Sequence, residues 1–255
     1  MSLLKSITTG RKADPRRVLV YGVHGVGKST FAAMADSPVF IQTEDGLGNV
    51  DAARFPLARS LGDVMGYLAS LYDEHPYRTV AIDSLDWLER LIHADVCRQK
   101  NVDSIEDIGY GKGYAFALRQ WREVLDALDG LRNVRGMTVV LIAHAQIEKF
   151  ANPETETYDR YAPRLHRLAS ALVQEWCDEV LFATYRVHTR TASEGFDRKR
   201  VQAVGTGERV LRTTERPAHV AKNRLALPDE IPLDYRVYAG FARGESVATP
   251  SSTET

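Results

Sequence analysis

Short apolar runs alternate with amphipathic segments over the first half of the chain. The apolar runs, which predict buried strands, lie at residues 17–22, 38–42, 78–82 and 137–143. The segments with apolar residues three and four positions apart, which predict helices, lie at residues 29–35, 61–73, 85–98 and 114–131. Strands that alternate with helices and are apolar throughout predict an α/β fold, with a mostly parallel sheet and helices on both of its faces.

The pattern changes after about residue 178. Short strand-like pieces follow at residues 179–186, 199–204, 209–214 and 218–221, separated by SEGFD and GTGE. These pieces predict an antiparallel extension over about 178–232. We therefore expect an N-terminal extension (1–15), one domain (16–232) and a C-terminal segment (233–255) whose Ser/Thr-rich end, from residue 242, is disordered.

Composition narrows the class of protein. The 255 residues are 44% hydrophobic and 26% charged, with a net charge of -1, as in ordinary globular proteins. Neither a signal peptide nor a membrane-spanning run is evident, so we expect a cytoplasmic protein without a membrane partner. Cys97 and Cys177 are two isolated cysteines without C-x-x-C spacing, which argues against a zinc site and a disulfide framework. Residues 186–224 carry ten basic and four acidic residues, so a local nucleic-acid surface remains compatible with the neutral total.

One motif carries a specific chemistry. Residues 22–29 read GVHGVGKS, directly after a predicted strand and before a predicted helix, which is the arrangement of a phosphate-binding P-loop. Glycines let the backbone N–H groups wrap a phosphate, the lysine reaches the β- and γ-phosphates, and the serine hydroxyl binds Mg²⁺. The nucleotide-binding residues predicted here are Gly22, Gly25, Val26, Gly27, Lys28, Ser29 and Thr30. The cofactors expected are ATP and Mg²⁺.

Two acids follow neighbouring predicted strands. Asp83 ends the strand TVAID, and this position suits a carboxylate that holds Mg²⁺ together with Ser29. Ser84 stands where many P-loop ATPases have a catalytic Glu, so a water-activating base must come from elsewhere. Glu44 lies just after the second strand and reaches the same sheet edge, which makes it the predicted general base. Asp45 is the competing choice, and a solvated turn is the plain alternative.

The fourth strand ends in a polar segment, AHAQ. A polar side chain at this edge can contact the γ-phosphate and respond to its loss. His144 is the first choice for this role, and Gln146 is the second.

These segments together resemble the RecA-like ATPases, and in particular the phage-encoded AAA-family ATP-binding proteins, some of which anneal single strands or act as recombinases. The resemblance covers about residues 16–232. It rests on GVHGVGKST, FIQTEDGL, TVAIDSLDWL, VVLIAHAQ and VAKNRLALPDEIP. It implies a RecA-like P-loop core, ATP hydrolysis, and a place in phage recombination, annealing or replication in the bacterial host cytoplasm. The sensor centred on a histidine and the lack of a clear N-terminal polymerisation strand depart from the recombinase pattern.

The resemblance also implies two DNA-binding loops, at residues 104–114 and 148–167. Both mix aromatic and basic side chains, which can stack on bases and neutralise phosphates. The predicted nucleic-acid contacts are Tyr110, Lys112, Tyr114, Tyr158, Arg160, Tyr161, Arg164 and Arg167. A Gly-rich connector, a subunit interface and a solvated helix start are the alternatives. Pro163 is expected to begin the following helix.

The late block VAKNR resembles an element that reaches a neighbouring subunit's ATP. Lys222 and Arg224 alternate along a short predicted strand and would stabilise charge on the γ-phosphate in trans. This implies a homo-oligomer, either a ring or a filament. Single-stranded DNA and a single-strand-binding or replication protein are the further partners expected.

Two other functions fit the same core. One is an ATP-dependent switch that recruits partners, as a helicase loader does, without strand-stimulated turnover. The other is a P-loop kinase for a small molecule, with the basic segment 160–167 acting as a lid. A Glu44 that activates water argues against the small-molecule kinase.

Overall fold

The computed structural model of the protein describes residues 4, 7, 9, 10, 14–194 and 198–245, with the backbone alone between residues 187 and 206. The strands are β1 Arg17–Gly22, β2 Pro38–Gln42, β3 Ala53–Arg54, β4 Thr79–Asp83, β5 Thr138–Phe150, β6 Tyr158–Pro163, β7 Glu179–Glu194, β8 Arg198–Arg212, β9 Lys222–Asn223 and β10 Glu230–Pro232. The helices are α1 Lys28–Ala33, α2 Leu61–Ser70, α3 Leu85–Lys100, α4 Lys112–Gly130, α5 Arg167–Trp176 and α6 Tyr235–Ala242. The segment predicted to be disordered begins at residue 242, but Ala242 ends α6 and residues 243–245 hydrogen-bond back to that helix. The rest of the segment, from residue 246, lies outside the described residues.

A mixed sheet forms the centre of the described chain, in the order β10-β8-β7-β1-β5-β4-β2-β3. The pairs from β7 to β3 along this order are parallel. β8, β9 and β10 run antiparallel to their neighbours, and β6 folds back on β5. The α/β fold predicted from the apolar pattern, with a P-loop core and an antiparallel extension, is confirmed.

Helices cover both faces of the sheet. Successive residues of each strand point to opposite faces, so an apolar strand places side chains on both faces that the helices bury. Leu19 and Tyr21 of β1 pack with α2, α3, α4 and α5, whereas Val18 and Val20 pack with α1 and α6. All four side chains have no exposed surface. Burial on both faces is why the central strands are almost entirely apolar. None of the helices in the described ranges is long and apolar enough to cross a membrane.

The C-terminal strands differ from the sequence prediction. The first residues of β7, Glu179–Ala183, pair in parallel with β1, so β7 belongs to the central sheet before it turns into the antiparallel ribbon with β8. The GTGE stretch does not separate two strands, because residues 205–208 lie inside β8. Residues 218–221 form no strand. They contribute an isolated bridge at His219, and the strand that follows is Lys222–Asn223.

The segment between β5 and α5 is also more regular than expected. β5 continues past residue 143 to Phe150 and forms a hairpin with β6, in which Gln146 lies opposite Ala162. The prediction that Pro163 begins a helix is wrong. Pro163 is the last residue of β6, and α5 begins at Arg167, after His166 caps the helix. Proline can occupy a strand end, where its missing N–H breaks no ladder bond.

Candidate active site

The phosphate loop joins β1 to α1 and depends on its glycines. A Cβ on Gly22 would lie 2.1 Å from the carbonyl oxygen of Ala183 on β7, so no side chain fits there. Gly25 and Gly27 have φ angles of 71° and 107°, which only glycine adopts without steric cost. This backbone allows the loop to turn its N–H groups toward a phosphate. Val26 is fully buried and anchors the loop in the core.

Lys28 lies inside this loop and is 6% exposed. Its ammonium group donates to the carbonyl oxygens of Gly22, at 3.1 Å, and Val23, at 2.9 Å. Burial lowers the pKa of Lys28, and the nearby carboxylate of Asp83 opposes that shift. A buried cation that donates to the loop's own carbonyl oxygens can exchange them for phosphate oxygens.

Ser29 and Asp83 are brought together where β4 ends. The Ser29 hydroxyl donates to the Asp83 carboxylate at 2.6 Å, and Asp83 is 5% exposed. Burial raises the pKa of Asp83, and the hydrogen bond from Ser29 and the charge of Lys28 oppose this. Hydroxyl and carboxylate oxygens are the hard ligands that Mg²⁺ prefers, so this pair fits the metal that the sequence predicts. Thr30, the next residue, is exposed on α1.

Glu44 lies at the same sheet edge, as its position after β2 predicts. The last residue of β2, Gln42, pairs with Asp83, and the Glu44 N–H points to the Asp83 carbonyl oxygen at 3.5 Å. The Glu44 carboxylate is 3.8 Å from the Nε2 atom of His144. Burial raises the pKa of Glu44, and His144 opposes the rise. Asp45 is exposed, whereas Glu44 is half-buried beside His144, and the choice of Glu44 as the base stays a prediction.

His144 is held by the carboxylate of Asp86, in the first turn of α3, which the sequence analysis did not single out as a site residue. Both oxygens of Asp86 lie 3.0 Å from His144 Nδ1, and the backbone N–H of His144 donates to the same carboxylate at 3.1 Å. The imidazole also stacks on His24 of the phosphate loop, with ring centroids 4.0 Å apart. If Nδ1 carries the proton toward Asp86, Nε2 presents its lone pair toward Glu44.

Arg164 completes this cluster from the connection between β6 and α5. Its guanidinium donates to Asp86 at 2.5 Å, and its backbone N–H donates to the His144 carbonyl oxygen at 2.8 Å. Burial alone would raise the pKa of Asp86, but the hydrogen bonds from His144 and Arg164 hold it well below the usual range. Arg164, predicted as a nucleic-acid contact, is therefore directed into the site. Glu44, Asp86 and His144 offer ligand atoms within 4.8 Å of one another, but Arg164 already supplies a cation to Asp86.

We expect Asp86→Asn to slow ATP hydrolysis by about 10- to 100-fold, as the loss of a partner that orients a histidine does at metal sites. An amide in place of the carboxylate can donate to Nδ1, which would put the imidazole proton on Nε2 and direct it toward Glu44. Steady-state hydrolysis measured against ATP concentration checks this, with the loss expected in kcat rather than KM. Asp95→Asn, near the other end of α3, is the matched control. Full turnover in Asp86→Asn would mean that the orientation of His144 is unimportant.

Gln146, the second choice for the sensor, lies two residues beyond His144 on β5. Its side-chain amide is 3.4 Å from the carbonyl oxygen of Leu165, in the same connection that carries Arg164. Gln146 therefore contacts the connection between β6 and α5, while His144 contacts Asp86 and lies beside Glu44.

Lys222 and Arg224 lie at the opposite end of the sheet from the phosphate loop of their own chain. Lys222 pairs with Val180 near the start of β7, and its ammonium group donates to three carbonyl oxygens at the end of α5, at 2.6–3.0 Å. Arg224 follows β9 and pairs with Asp178 at 3.2 Å. Both side chains hold local contacts here, so any role at a phosphate requires a second copy of the chain, and that role stays a prediction.

Apart from Arg164, the predicted nucleic-acid residues fall into two groups. Tyr110 is fully exposed just before α4, and Lys112 is exposed at its first turn. Tyr114 is stacked on His166, with centroids 3.9 Å apart and planes 1° apart, which joins the first predicted loop to the second. Arg167 is exposed at the start of α5.

The other predicted contacts belong to the β5–β6 hairpin. Arg160 bonds Glu148 at 2.9 Å and lies over the ring of Phe150. Tyr161 stacks on Phe182, and Tyr158 lies against Phe150. These side chains help to hold the hairpin, and their contact with a nucleic acid stays a prediction.

Comparison with known proteins agrees with this geometry. A protein-family model described as an AAA domain matches residues 14–225, which is most of the chain. No curated protein matches the chain.

Proposed function

The chain belongs to the AAA domain family, and from that premise we propose that it hydrolyses ATP with Mg²⁺ and that single-stranded DNA stimulates the hydrolysis. The family match supports nucleotide binding and an ATPase in general. The observation that carries the proposal is the convergence of Lys28, Ser29, Asp83 and Glu44 on one sheet edge. In this proposal Lys28 is the cation that binds phosphate, Ser29 and Asp83 are the metal ligands, and Glu44 is the base.

In the proposed reaction, the glycine loop wraps the phosphates and Lys28 exchanges the carbonyl oxygens of Gly22 and Val23 for phosphate oxygens. Ser29 and Asp83 would hold Mg²⁺, which neutralises phosphate charge when it is bound. Lys28 brings one more positive charge to the γ-phosphate, where negative charge develops.

Glu44 takes a proton from the attacking water in this proposal. Its carboxylate has the raised pKa of a half-buried acid, which makes it a stronger base than an exposed glutamate. His144 lies beside it, and Asp86 orients the imidazole. The water oxygen forms the new bond to phosphorus as the bond to the leaving ADP oxygen breaks.

The proposed DNA surface consists of Tyr110, Lys112 and Arg167, together with Tyr158, Arg160 and Tyr161 of the β5–β6 hairpin. Exposed aromatic and basic side chains are what a single strand requires. The Tyr114–His166 stack ties this surface to the connection that carries Arg164. A homo-oligomer, with Lys222 and Arg224 acting in trans, and a role in phage recombination, annealing or replication in the cytoplasm of a bacterial host belong to the same proposal.

ATP hydrolysis with and without single-stranded DNA, at low and moderate salt, tests this function. We expect Mg²⁺-dependent turnover that rises with DNA. Turnover indifferent to DNA would contradict the strand-stimulated part and favour the ATP-dependent switch. Absence of Mg²⁺-dependent turnover under both conditions would contradict the proposed reaction.

We expect Lys112→Ala to weaken single-strand binding and to make the slope of log affinity against log salt less negative by about 0.7, the value for one lost phosphate contact. Fluorescence anisotropy with a labelled oligonucleotide over a salt series measures it. Arg243→Ala, which removes an exposed charge just after α6 on the other face of the sheet, is the control. Equal slopes for Lys112→Ala and the wild type would exclude Lys112 from the DNA surface.

A further inference from the structure

The antiparallel ribbon of β7 and β8 lies beside the phosphate loop. Tyr185 and Arg209 stand directly opposite each other across the two strands, so their side chains share one face. The Tyr185 hydroxyl lies 3.5 Å from the carbonyl oxygen of Gly25. The Arg209 guanidinium lies against Gly27, where a Cβ would be 2.8 Å from Nη1. Two adjacent side chains thus reach the loop from the same side.

Arg209 differs from its arginine neighbours on the ribbon. Arg186 and Arg212 both pair with Glu230, which fixes their guanidinium groups to the edge strand. Arg209 is exposed, and none of the residues that the structure describes gives it a carboxylate partner. A charged group without a local partner beside a phosphate-binding loop is available for an anionic ligand.

We propose that Arg209 contacts the bound nucleotide, its guanidinium donating to phosphate oxygens that ADP and ATP have in common, while Tyr185 holds the Gly25 turn of the loop. This rests on the proposed function, since it adds a residue to the same nucleotide site. Guanidinium binds phosphate through two parallel N–H donors, and the missing side chain of Gly27 leaves room for it. Because the contact is to shared phosphates, it contributes to the affinity for both nucleotides.

Affinities for Mg²⁺–ADP and for inorganic tripolyphosphate, measured by calorimetry or competition, test this contact. We expect Arg209→Ala to bind both ligands about 10- to 100-fold more weakly, the size of a hydrogen bond to a charged group. Arg209→Lys keeps the charge but loses the planar fork, so an intermediate loss is expected. Arg119→Ala, on the exposed face of α4, removes the same charge elsewhere and should bind as the wild type does. Since Arg209 is exposed, each variant should unfold at the wild-type temperature.

The outcomes separate this inference from the function on which it rests. A wild-type chain that binds no nucleotide would overturn both. Wild-type binding together with unchanged affinity in Arg209→Ala would overturn the Arg209 contact alone. A loss for ADP without a loss for tripolyphosphate would also overturn it, because the contact would then be to the base or ribose.

Discussion

Replacing Glu44 with glutamine lowers the rate of ATP hydrolysis by about 10²- to 10⁴-fold, the usual contribution of a general base. Glutamine preserves the size of the side chain and its ability to hydrogen-bond, but it cannot take a proton from water. The phosphate loop, Ser29 and Asp83 are untouched, so ATP affinity should remain close to that of the wild type. Single-turnover hydrolysis and equilibrium ATP binding, measured on the same preparation, separate the two effects.

Asp45→Asn is the matched control for Glu44→Gln because the two acids are adjacent in the chain. Asp45 is exposed, whereas Glu44 is half-buried and faces His144. We expect Asp45→Asn to hydrolyse ATP at the wild-type rate. Full activity in Glu44→Gln together with a loss in Asp45→Asn would transfer the role of base to Asp45.

The pH dependence gives an independent check on Glu44. Burial raises its pKa, and a base is active only when it is deprotonated. Turnover of the wild type should therefore fall as pH decreases through this raised pKa, at a higher pH than for an ordinary glutamate. Glu44→Gln has no such proton to gain, so its residual rate should lose that acid limb. An acid limb of the same shape in the variant would point to another titrating group.

The parts of the site that follow from the sequence are those at strand ends. Parallel strands bring their carboxyl ends to one edge, so the residues at the ends of the four apolar runs were expected at that edge. His144 follows the apolar run 137–143, although β5 itself continues to Phe150. This is why Lys28, Glu44, Asp83 and His144 could be grouped before any coordinates. The glycine spacing also fixed the turn that encloses Lys28.

The links between these groups could not be predicted in the same way. Arg164 lies 78 residues after Asp86, and it reaches Asp86 only because β6 folds back on β5 and α5 packs over α4. The mixture of basic and aromatic residues around Arg164 suggested a nucleic-acid contact, and composition does not reveal which way a side chain points. Arg209 carries no sequence signal beyond its charge. Its position beside Gly27 depends on the course of the β7–β8 ribbon.

Glycine and proline residues, which locally disfavour a regular strand, explain the errors in the strand prediction. The GTGE stretch predicts a turn, but β7 and β8 pair on both sides of it, at Gly205 with Val187 and at Arg209 with Tyr185. The register shifts between these two pairs, where Gly207 adopts a φ of 73°, so the stretch forms an irregularity inside β8 rather than a break between strands. Pro163 suits either a helix start or a strand end, and the hairpin with Ala145 decided between them. In each case a tertiary pairing outweighs a local preference.

Replacing Lys28 with alanine lowers ATP hydrolysis by about 10²- to 10³-fold, the cost of removing one donor from a developing anionic centre, and also weakens ATP binding. Lys28 is the buried cation within the phosphate loop, and its ammonium group donates to the carbonyl oxygens of Gly22 and Val23. Hydrolysis and ATP binding measure the loss. Lys100→Ala, an exposed lysine at the end of α3, should have wild-type values in both assays.

The stability of Lys28→Ala distinguishes a functional lysine from a structural one. Burial lowers the pKa of Lys28 in the folded chain, so protonation favours the unfolded state, and the charged ammonium costs folding free energy below that pKa. Alanine removes this cost but also takes a positive charge from beside the buried carboxylate of Asp83, so we expect Lys28→Ala to unfold close to the wild-type temperature. A variant that is both inactive and less stable would assign Lys28 a structural role. If the variant is inactive but as stable as the wild type, the buried charge of Lys28 serves nucleotide binding although it is unfavourable for the fold.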